Sequence, residues 1–113
     1  MAYNEKLAER TREIISVSHK KVEEKPMFGG LCFMVNDKMC VSVSGDELML
    51  RLDPEIAGQL TEENGTRPMV HGGRHMKGFI YISEERFRNK KDFDHWIKLA
   101  LDFNPKAKAS KNR

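Results

Sequence analysis

A chain of 113 residues, 39% hydrophobic and 33% charged, has the balance of one folded domain and not of a disordered segment. Its net charge of +3 sits at one end: the last ten residues hold Lys106, Lys108, Lys111 and Arg113 and no acid, which leaves the preceding 103 residues at −1. A body so near neutrality argues against a dedicated duplex-binding face, and no run approaches the roughly 18 apolar residues of a membrane span.

The opening Met1-Ala2-Tyr3-Asn4-Glu5-Lys6 has mixed charge and no apolar core, unlike a signal peptide. With it go two cysteines, Cys32 and Cys40, expected to be buried, reduced thiols in a cytoplasmic protein. Residues 4–18 have helical spacing, with Asn4 as the cap and Leu7, Thr11, Ile14 and Ile15 on one face. Ser18 to Pro26 is polar, ends at a proline and reads as a connector.

After Gly29-Gly30, the run Leu31 to Val35, a turn at Asn36-Asp37-Lys38 and a second run Met39 to Val43 predict a β-hairpin. A two-residue turn pairs Val35 with Lys38 and puts Cys32 and Cys40 on opposite faces; a three-residue turn pairs Val35 with Met39 and puts them on the same face. The alternation of Met39, Val41, Val43 with Cys40, Ser42, Ser44 favours the longer turn. Glu47 to Leu52 alternates as a third strand. Asp53-Pro54-Glu55 then starts a short helix through about Glu63, with Ile56, Ala57 and Leu60 inward and Asn64-Gly65 as its stop.

Thr66 to His71 and Gly78 to Ser83 predict two further strands about a turn at Gly72-Gly73. The last helix runs from about Lys91 to Asp102 on the stripe Phe93, Trp96, Ile97, Ala100 and Leu101, and Asn104-Pro105 ends it. The expected fold is α+β in the order α-β-β-β-α-β-β-α, a largely antiparallel sheet with helices packed on one face. Residues 1–103 form the domain and residues 104–113 a flexible basic tail.

No serine lies in a Gly-x-Ser-x-Gly elbow, and no Cys-x-x-Cys or helical His pair offers metal ligands. The carboxylate pairs Glu23-Glu24, Glu62-Glu63 and Glu84-Glu85 fall in polar stretches and read as solvated charge. No catalytic residue, metal or cofactor is therefore expected. The best candidate surface is His71-Gly72-Gly73-Arg74-His75-Met76-Lys77-Gly78, where Arg74, Lys77, His71 and His75 stand between glycines and could hold an anion or a partner.

Met27-Phe28-Gly29-Gly30, Phe33-Met34-Val35-Asn36, Asp46 to Arg51, Arg67-Pro68-Met69 and Gly73 to Tyr81 together resemble the N-terminal domain of the TfoX/Sxy family of bacterial competence regulators. The resemblance implies a bacterial, cytoplasmic α+β domain that regulates transcription through a protein partner and performs no catalysis. It marks Phe28, Gly29, Gly30, Gly73, Arg74, Met76, Lys77 and Gly78 as fold determinants. Family regulators carry a second, helical domain, so this chain reads as the first domain standing alone. Weak nucleic-acid binding through the tail and the Arg74/Lys77 loop, a small anionic ligand, and homodimerisation are the other expectations.

Overall fold

The computed structural model describes residues 3–17, 21–27, 29–71 and 73–107, with backbone alone at positions 71, 74 and 75. Helix α1 (Glu5–Val17) opens it. Asn4 caps this helix by accepting from Leu7 N–H at 3.1 Å, while its own N–H donates to Gly45 O at 2.8 Å and its amide to Asp46 at 3.0 Å. The cap thus fixes both where α1 starts and where it sits.

Strands β1 (Val22–Met27), β2 (Gly30–Val35), β3 (Lys38–Ser44) and β4 (Glu47–Arg51) form an antiparallel meander. Helix α2 (Pro54–Leu60) follows, capped by Asp53, which accepts from Glu55 N–H at 2.9 Å. Strands β5 (Thr66–His71) and β6 (Arg74–Ile82) make a second hairpin, and α3 (Lys90–Phe103) closes the domain. The sheet order is β1-β2-β3-β4-β6-β5, antiparallel throughout.

Alternation along the strands divides the apolar residues into two clusters. The first joins Phe33, Val35, Val41, Val43, Leu48, Leu50, Ile80 and Ile82 to Leu7 and Ile15 of α1, Ala57 of α2, and Phe93, Trp96 and Ile97 of α3. Every buried helix residue in the two clusters belongs to this one, so the helices cover one face, as the α+β reading required. Each large side chain buried here contributes roughly 1.5–3 kcal/mol. The second cluster, Cys32, Met34, Met39, Met49 and Met69, lies on the opposite face.

The structure corrects the sequence reading in four places. Val22–Met27, read as part of a connector, is the edge strand β1. Its charged pattern hides it, since an edge strand needs no continuous apolar face and is protected by charge and by Pro26. Glu24, opposite Phe33, pairs with Arg12 of α1 at 2.5 and 2.8 Å. The β2–β3 turn has two residues: Val35 pairs with Lys38, and Asn36 (φ 55°) and Asp37 (φ 66°) both take the left-handed conformation that such turns demand. A bulge makes Met34 face Met39 but Phe33 face Val41. That bulge breaks the alternation that favoured the longer turn. Ile56 is 45% exposed instead of inward; only Ala57 of α2 is fully buried. Strand β6 begins at Arg74, four residues before the expected start at Gly78.

The fold continues past α3. Asn104 is buried, donates to Val35 O at 2.9 Å and accepts from Asn36 Nδ2 at 3.1 Å, so it ties the end of α3 to the β2–β3 turn. Asn104→Ala should cost about 1–3 kcal/mol in urea unfolding, because Val35 O would be left without its donor. Gly30 is more constrained: a Cβ there would lie 2.1 Å from Val43 O, a backbone atom that cannot swing away. Gly30→Ala should destabilise by about 2–4 kcal/mol. Gly45→Ala, at φ 58° but facing open space, should lose only about 1 kcal/mol in the same measurement.

Candidate functional site

Strand β6 has nine residues, but β4 pairs only with its last four, Phe79 to Ile82. The other half of β6 and the end of β5 therefore form a two-stranded ribbon that runs beyond β4. Gly78 sets the branch point. Its φ of +87° and the 2.9 Å that would separate a Cβ from Leu52 O both exclude a side chain, while its carbonyl accepts from Leu52 N–H at 2.7 Å. At the tip, Gly73 (φ +79°) supplies the positive-φ turn residue.

The ribbon is the segment singled out from sequence. The register sets His71 opposite Arg74 and His75 opposite Val70, so the two histidines are not a cross-strand pair. The side chains of His71, Arg74 and His75 lie outside the described residues, as do Gly72 and Phe28 entirely. Lys77 is exposed, Met76 is half-buried, and Val70 is 59% exposed. Beside Lys77, Pro54, Ala57, Thr61 and Phe79 line a cleft of about 230 Å³. That is below the ~300–1,000 Å³ typical of small-molecule sites.

The second sheet face continues from the ribbon. Met34, Met39, Met49 and Met69 are buried, and Met27, Met76, Phe79 and Tyr81 pack partly buried around them. Arg51 lies 5.3 Å over Phe79 and Arg67 lies 4.6 Å over Tyr81. Arg67 also makes a two-pronged ion pair with Glu47, which raises its own pKa. Each of these arginines covers one face of its ring. The sequence showed the methionines as strand residues but not that they share a face, because the bulges at Phe33/Met34 and Pro68/Val70 shift the alternation.

Among the described residues, no group of three or more His, Cys, Asp or Glu side chains is placed to hold a metal, and no helix is long and apolar enough to cross a membrane. Both cysteines are buried, on opposite faces of the hairpin. Burial pushes the Cys32 thiol up to about 11, with Lys25 opposing weakly.

The fold is an α+β domain whose β5–β6 ribbon is set off by Gly73 and Gly78. The model of the TfoX N-terminal domain matches residues 15–104, and the chain belongs to that family. No curated protein and no solved structure matches it.

Because the thiol of Cys32 ionises later in the folded than in the unfolded chain, the native state holds the extra proton at high pH. Its contribution to stability is complete below the ordinary thiol range and is lost as pH rises from about 9 towards 11. The stability difference between the protein and its Cys32→Ala variant should therefore shrink over that window, by on the order of 2 kcal/mol in urea titrations at successive pH values. At pH 8 a thiol reagent should label Cys32 only on unfolding.

Proposed function

We propose that this chain is a non-enzymatic regulatory domain of the competence-regulator type, and that it works in the bacterial cytoplasm by binding a protein partner through the β5–β6 ribbon. The observation that carries this reading is Val70, a large apolar side chain left 59% exposed on a segment that runs beyond the sheet, with exposed Lys77 on the paired strand. Val70 offers a partner an apolar contact and Lys77 a charged one from the same two-stranded segment. Glycines at the tip and the branch give the ribbon its shape with no side chain at either point. Membership of the TfoX N-terminal domain family supports the regulatory role. The neutral body and the small volume of the cleft beside Lys77 favour a protein over a nucleic acid or a metabolite.

The test is affinity capture from the native cell with the folded chain, followed by the variants Val70→Glu and Lys77→Glu. Both positions are exposed, so the unfolding midpoint should stay put while recovery of the specific partner falls at least about tenfold. A partner captured equally well by both variants would place the contact elsewhere. No specific partner for the folded chain would overturn the reading.

A further inference from the structure

Helices α1 and α3 lie side by side and run in the same direction: Arg10 stacks over Phe93 at 4.1 Å, and Val17 and Leu101 line the far end of the groove between them. This groove, about 490 Å³, is the largest opening described on the helix-covered side. Its apolar lining is Ile14 and Leu101, both half-buried, and Val17, 71% exposed. Glu13 stands on the α1 wall and Lys98 on the α3 wall, and among the described residues neither makes an ion pair. The other two charged groups of the α3 wall, Lys90 and Asp94, pair with each other at 2.8 Å.

We infer that a second copy of this chain occupies the groove in solution. A two-fold axis running along the groove sets each α1 over the α3 of the other copy without changing the level of any residue along the helices. Glu13, Ile14 and Val17 of α1 line the same stretch of groove as Asp94, Lys98 and Leu101 of α3. Glu13 then faces Lys98 of the second copy, since the two line the same stretch of groove on opposite walls. The pairing occurs twice by symmetry, and Val17 meets Leu101 across the axis. The surface is thus complementary to itself in charge and in polarity, as a two-fold interface must be. Two helices about 20 Å long offer roughly 400 Å² per copy, or about 800 Å² in total, below the usual size of a stable interface, so the dimer is weak. The contact lies on the helix side of the sheet and does not depend on the ribbon or on its partner.

Sedimentation equilibrium of the full chain from about 10 μM to about 1 mM should show the average mass rise from 13.1 kDa towards twice that value. Val17→Asp, at an exposed position that does not threaten the fold, should weaken association at least about tenfold. Glu13→Lys and Lys98→Glu should each weaken it through like-charge contacts made twice. An equimolar mixture of those two variants should restore it, because both cross-copy pairs become opposite in sign. A mass that stays monomeric at about 1 mM would overturn the inference. So would association that Val17→Asp leaves unchanged, or a mixture that associates no better than its components.

Discussion

The arrangement of this domain depends on one constraint: the alternation of side chains along β2, β4 and the end of β6. Leu48 and Leu50 point one way and Met49 the other; Ile80 and Ile82 point one way and Phe79 and Tyr81 the other. Helices cover only the side that carries Phe33, Val41, Leu48, Leu50, Ile80 and Ile82. The other side is filled by thioethers, whose flexibility lets them close over a sheet surface without a helix above it. The arginines over Phe79 and Tyr81 finish that cover with their alkyl stems and flat guanidinium groups.

Where the backbone comes too close for a side chain, glycine is obligatory. Gly30 meets Val43 O where β2 and β3 pair, and Gly78 meets Leu52 O where β6 parts from β4. The family-motif glycines are thus explained by contacts and dihedral angles, and none of them needs to touch a ligand. What they shape is the outline of the sheet, above all the ribbon that β5 and β6 extend past their neighbours.

Much of this was legible beforehand. Asn4 and Asp53 announced their helices because a capping side chain acts within three residues of its own position. The stripe Phe93, Trp96, Ile97 and Ala100 announced α3 because helical period is a local property. Strand β1 was not legible, since its partner β2 satisfies its backbone while its side chains remain polar. The turn at Asn36-Asp37 was misjudged because a bulge, which only the paired strands define, moved Met39 to the opposite side from Val41. Asn104 looked like the start of a tail because its partners, Val35 and Asn36, lie 69 and 68 residues away. At the candidate site the turn and its glycines could be read, but the reach of the ribbon could not: it follows from where β4 stops pairing.

The two thiols carry one more consequence. Cys32 and Cys40 are near neighbours in sequence, yet the thickness of the sheet separates them and each is sealed inside a different cluster. An intramolecular S–S link would require the hairpin to turn itself inside out. The folded domain therefore cannot link its own two thiols to each other.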